Sequence, residues 1–112
     1  MERIREVVLY KRYFLDFLEA QNQKVKKKIS WTIDLIQSIE RVPELYLKHL
    51  QGTDGLYEIR VQVGSDIFRI FCCFHEGKLI ILMNGFQKKT MKTPPNEIAK
   101  ALKIKLEYEK SK

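Results

Sequence analysis

Three extended runs, LYEIRVQV from Leu56 to Val63, IFRIFCCF from Ile67 to Phe74 and LIILMNGF from Leu79 to Phe86, are separated only by the short turns GSD and HEGK. Connections this short join antiparallel neighbours, because a parallel return needs a crossover of a dozen residues or more. A three-stranded meander is therefore the framework of the second half. In the first run Tyr57, Ile59, Val61 and Val63 share one face, while Glu58, Arg60 and Gln62 share the other. In the second, Phe68, Ile70, Cys72 and Phe74 oppose Arg69, Phe71 and Cys73. The third run is apolar on both faces, which places it inside the sheet with cover on each side.

Upstream, Arg5 to Tyr10 reads as a short strand, because Val7, Val8, Leu9 and Tyr10 favour extended backbone. Tyr10, Phe14, Phe17 and Leu18 then recur at helical spacing, and Val25, Ile29, Ile33, Ile36 and Ile39 do so again before Pro43 stops the helix. The charge run KVKKK, Lys24 to Lys28, reads as a solvated helical face with phosphate contact as its alternative use. Downstream, Thr93 is expected to cap a C-terminal helix whose first turn takes Pro94 and Pro95, with Glu97 at its positive end. The expected class is α+β: a small antiparallel sheet of an N-terminal strand plus the meander, two N-terminal helices and a C-terminal helix, with helices mostly on one sheet face. No repeat or linker divides the chain, so residues 1–112 read as one domain, long enough for one modest core.

Charge narrows the partners. The formal net charge is +7, and Asn84 to Lys112 supplies most of it, with eight lysines against three glutamates. A basic excess at one end favours polyanions, nucleic acid first and an acidic protein second. Cys72 and Cys73 are adjacent in a strand, so they point to opposite faces and read as buried thiols. The start MERIREVVLY lacks the apolar run of a secretory signal, and no stretch is apolar enough to cross a bilayer, which leads us to expect a cytoplasmic protein without membrane contact.

The register of the first hairpin ties two arginines together. Matching the apolar faces puts Val61 opposite Phe68 or Ile70, so Arg60 lies directly across from Arg69 or diagonal to it. Glu58 shares their face as the obvious ionic partner, but one carboxylate cannot neutralise two guanidiniums, and an anion is the better complement. The end of the third run would deliver Lys88 and Lys89 to the rim of the sheet, with Lys92 just beyond. Tyr57, Phe71 or Phe86 could add a stacking surface for a base. His49, just before the first run, is an outside candidate. No metal-ligand spacing, phosphate-cradling glycine loop or nucleophile elbow occurs, and no cofactor is expected.

The pieces LKHLQGTDGLYEIRV, FRIFCCF, LIILMNGFQKKTMKTP and EIAKALKIKLEY, in that order and spacing, resemble the phage-derived Gp49-like branch of the RelE/HigB toxin family. The resemblance is good from Lys48 to Tyr108 and loose before that. It implies a RelE/ParE-like fold and the toxin of a type II toxin–antitoxin system: a metal-independent endoribonuclease that cuts mRNA in the ribosomal A site by attack of a ribose 2′-hydroxyl. By position it implies that Arg60, Arg69 and Lys88 or Lys89 form the catalytic group; Glu58, which falls where several relatives carry a basic residue, is expected to orient Arg60 or to act as an acid–base group, and Lys92, His49 and Phe86 are the RNA contacts expected from their places along the chain. The implied partners are the ribosome with its mRNA and a small helix-turn-helix antitoxin. The chain departs from relatives that place a C-terminal tyrosine or a histidine cluster in the active site, since nothing between Thr90 and Glu97 supplies either. That departure leaves two alternatives, a ParE-like inhibitor of DNA gyrase and a non-catalytic nucleic-acid-binding protein of the same fold.

Overall fold

A computed structural model describes residues 3–111. Along the chain run β1 (Glu6–Leu9), α1 (Tyr13–Glu19), α2 (Gln23–Ser38), β2 (Leu47–His49), β3 (Tyr57–Val63), β4 (Asp66–His75), β5 (Leu79–Lys88) and α3 (Pro95–Lys110). The strands form one five-stranded sheet in the order β1-β5-β4-β3-β2. The expected meander is present, and β5 lies inside the sheet as its two apolar faces require.

Three features differ from the expectation. First, β2 is an additional strand, antiparallel to β3 with Leu47 opposite Ile59 and Lys48 opposite Glu58. Second, β1 pairs parallel to β5, Val7 opposite Ile80 and Val8 opposite Ile81, so the sheet is mostly rather than wholly antiparallel. The α1–α2 pair is the crossover that carries the chain from one sheet edge to the other.

Third, the helices divide between the two faces. On one, Phe14, Val25, Ile29 and Ile36 from α1 and α2 pack with Ile59, Val61, Phe68, Ile70, Cys72, Ile80 and Leu82. On the other, Ala101 and Ile104 of α3 cover Phe71, Cys73, Ile81 and Met83. The second layer follows from the doubly apolar β4 and β5, whose reverse face would otherwise meet water. The two cysteines separate accordingly, one in each layer, and both are buried and not disulfide-bonded. Burial pushes the Cys72 thiol far up, so it stays protonated and inert.

Local signals set the helix ends. The Asn22 side chain caps α2 by accepting from the Val25 amide at 3.0 Å. At α3 the expected cap is corrected: Pro94 occupies the N-cap position with no side-chain cap, and the Thr93 hydroxyl turns instead to Glu58. No helix among the described residues is long and apolar enough to cross a membrane.

Candidate active site on the uncovered end of the sheet

Pairing Val61 with Phe68 in the first core layer forces Arg60 directly opposite Arg69 on the reverse face. Glu58 shares that face and is the carboxylate the two arginines meet. Its Oε1 lies 3.5 Å from Arg69 Nε and 3.7 Å from Arg60 Nε. Neither Nε makes a hydrogen bond, and both are buried atoms. The other guanidinium contacts are to backbone: Arg69 Nη1 donates to the Phe68 carbonyl at 3.1 Å and Arg60 Nη1 to that of Glu44 at 3.3 Å. Glu58 is only 4% exposed and Arg69 6%.

This is an expensive arrangement for a fold. A buried donor without a partner costs about 1–3 kcal/mol, and more when charged. Burial, then the neighbouring Arg60, pushes the Arg69 pKa down against the pull of Glu58. Such a pair is poorly neutralised from within and suited to an anion from outside, whose oxygens match a guanidinium fork.

Lys88 joins the arginines because β5 carries a bulge. Between Ile70 and Cys72 the register on β5 slips by one residue, from Leu82 opposite Cys72 to Gly85 opposite Ile70. Strict alternation from Ile81 and Met83 would have put Gln87 on this face. The extra residue reverses the parity, so Phe86 comes opposite Arg69 and Lys88 opposite Ile67. Lys88 is partly buried, and its pKa is lowered by burial first and Arg69 next, with Arg60 and Lys48 adding and Glu58 opposing.

Two groups here escaped the sequence reading. Lys48 on β2 sits opposite Glu58, and the Thr93 hydroxyl donates to Glu58 Oε2 at 3.3 Å. Lys48 could have been found only by recognising a three-residue strand, too short for alternation to register. Thr93 stood in the sequence as a helix cap, and nothing local distinguishes the two uses.

The remaining candidates separate. Phe86 lies beside Arg69 and stacks on Phe71 with ring centroids 5.6 Å apart, so it forms a partly buried wall of the site. Lys89 and Lys92 are exposed in the segment between β5 and α3. His49 is not brought to the site: it pairs with Tyr57 and packs against that ring at 5.1 Å, on the opposite sheet face from Glu58. A cavity of ≈ 240 Å³ opens onto Arg60 and Arg69, bounded by Leu45, Tyr46 and Lys28. Arginines directed at one cavity, with a lysine of lowered pKa on the same face, can hold a phosphodiester, stabilise added negative charge on it and exchange a proton nearby.

The sequence model of the family described as phage-derived protein Gp49-like matches residues 16–105. Among solved structures, the chain is similar to one in the RelB–RelE antitoxin–toxin complex from Methanococcus jannaschii, with 21% identity, coverage of 78% of this chain and 99% of that one, and a TM-score of 0.54. It is also similar to one in the archaeal RelE–RelB complex from Pyrococcus horikoshii OT3, with 20% identity, coverage of 75% and 93%, and a TM-score of 0.53. At these identities the likeness is one of fold. No curated protein matches the chain.

Proposed function

The chain belongs to the phage-derived Gp49-like family, and from that premise we propose that it is the toxin of a type II toxin–antitoxin pair, an endoribonuclease that cuts mRNA in the ribosomal A site. The observation that carries the reading is the face on which Arg60, Arg69, Lys48 and Lys88 surround a single buried carboxylate, Glu58. The fold shared with proteins solved as antitoxin–toxin complexes supports the toxin role and the existence of an antitoxin. A small helix-turn-helix protein that covers the cationic face is the partner we propose.

In the proposed reaction the scissile phosphate enters the cavity beside Arg60 and Arg69, whose buried Nε groups have no hydrogen-bond partner. The 2′-oxygen bonds to phosphorus, the bond to the 5′-oxygen breaks, and a 2′,3′-cyclic phosphate and a 5′-hydroxyl result. Negative charge grows on the phosphoryl oxygens at that step, where the two guanidiniums stabilise it. Glu58 keeps both forks aimed, held in turn by Thr93. Lys88, with its lowered pKa, takes the 2′-hydroxyl proton in its neutral form, and water protonates the leaving oxygen. Lys89 and Lys92, exposed beyond the site, hold flanking phosphates, and Phe86 limits the pocket near the base.

Primer extension on a translated reporter tests the proposal. The wild-type chain should break the mRNA only where ribosomes are engaged, and Arg69→Ala and Lys88→Ala should each reduce cleavage by about 10²-fold or more, the scale of losing one transition-state charge contact. Growth arrest with intact mRNA would overturn the endoribonuclease reading. Loss of DNA supercoiling without ribosomes would move the protein to the gyrase-directed alternative.

A further inference from the structure

We propose that the RNA strand held at Arg60 and Arg69 continues along the free edge of β3 onto one stripe of α2, where Lys24 and Lys27 take its phosphates and Trp31 stacks on a base. The identity of the strand rests on the endoribonuclease reading; the track itself rests on four observations. The strand β2 pairs with β3 only as far as Ile59, with one further backbone bond from Arg60 N to Tyr46 O at 2.8 Å, so among the described residues Val61 and Val63 have no strand partner on their outer side. Lys24, Lys27, Lys28 and Trp31 are spaced i, i+3, i+4, i+7 and so share one face of α2. That face and Gln62 and Val63 bound a groove of ≈ 490 Å³ whose lining holds three lysines and no carboxylate. Finally, the groove shares Lys28 and Gln62 with the cavity at Arg60 and Arg69, so the two are continuous.

Trp31 is the unusual residue of the stripe. The inward face of α2 is filled by Val25, Ile29, Thr32 and Ile36, while Trp31 stays 47% exposed. Its ring meets that of Tyr46 in a T-shaped contact with centroids 5.5 Å apart, and the Lys28 ammonium lies 4.5 Å from its centroid. A phosphate can draw that ammonium off the ring and leave the indole to a base. Lysines that track a backbone and an aromatic side chain that accepts any base are the two parts of a single-strand site. A charge run alone solubilises; a charge run that flanks a propped tryptophan and leads into an arginine pair has a direction.

The test uses the full chain with a 2′-O-methyl RNA octamer, which cannot undergo 2′-hydroxyl attack, at low salt. Binding is read by anisotropy of the labelled RNA and by the fluorescence of Trp31, the only tryptophan in the chain. Quenching should saturate with the anisotropy, and the same octamer annealed into a duplex should not quench. Lys24→Gln with Lys27→Gln should lower the salt slope by about 1.4, at about 0.7 per phosphate contact on a single strand. In the translation assay the same double variant should raise KM and leave kcat unchanged, since neither lysine reaches the scissile phosphate. Octamer binding without quenching, or an unchanged salt slope, overturns the track while leaving the Arg60–Arg69 site intact. Quenching by an acidic peptide but not by RNA overturns it in favour of a protein ligand. Failure of the endoribonuclease reading has a separate signature, intact mRNA during translation.

Discussion

Within the proposed site, Glu58 supports the fold and the charge on Lys88 works against it. Glu58 is the carboxylate between Arg60 and Arg69, and breaking a buried ion pair from one side leaves an uncompensated charge. Glu58→Ala should therefore cost about 3 kcal/mol in urea unfolding, at the lower end of what such pairs lose. Arg69→Met added to it should recover part of the loss. Inorganic sulfate should raise the melting temperature of Glu58→Ala more than that of the wild type, because the anion replaces the missing carboxylate. Lys88 makes the opposite prediction. Its folded pKa lies below the ordinary lysine value of 10.5, so its charge penalises the fold below the folded pKa, and stability rises as pH passes from that value towards 10.5. Lys88→Met should raise the melting temperature at pH 7, with the gain shrinking at high pH, while abolishing cleavage. The wild-type kcat should climb with pH and level off at the lowered pKa, and Lys88→Arg should remove that inflection.

At the scale of elements, the bulge in β5 decides which side chains meet. Gly85 lies next to it on the α1 side, where an added Cβ would stand 2.6 Å from the Phe17 ring. Gly85→Ala should destabilise by roughly 2 kcal/mol through overpacking, measurable by thermal unfolding, and Phe17→Leu in the same chain should restore most of it. A neutral Gly85→Ala would mean that α1 does not hold this part of β5. The bulge also marks the limit of what the sequence could say about the site. The Arg60–Arg69 pair is legible because β3 alternates cleanly and matching its apolar face to Phe68, Ile70 and Cys72 admits only two registers. For Lys88 the sequence offers only its nearness to the strand end, strict alternation favours Gln87, and the one signal of the extra residue is Gly85, a residue type that marks bulges within strands but does not fix their position. For His49 the only signal is proximity in sequence, and a three-residue strand is too short for its facing to be read.

For the whole molecule, the class and order of elements were legible because turns of a few residues leave antiparallel pairing as the only economical connection. The parallel β1–β5 pair and the split of helices between faces were not, since both depend on where a crossover returns rather than on any local pattern. The net charge of +7 is spent unevenly: on the sheet face around Glu58, on the α2 stripe, and on the exposed segment after β5. Polyanion binding should accordingly fall steeply between low and physiological salt. In the proposed reaction the cationic sheet face directs a ribose 2′-hydroxyl onto the adjacent phosphate. Its most direct test is a reporter mRNA carrying a single 2′-deoxy nucleotide at a mapped cleavage position, translated in a purified system with the wild-type chain. Cleavage at that position should disappear while neighbouring sites are cut and end in a 2′,3′-cyclic phosphate; unchanged cleavage at the deoxy position would overturn the proposed reaction.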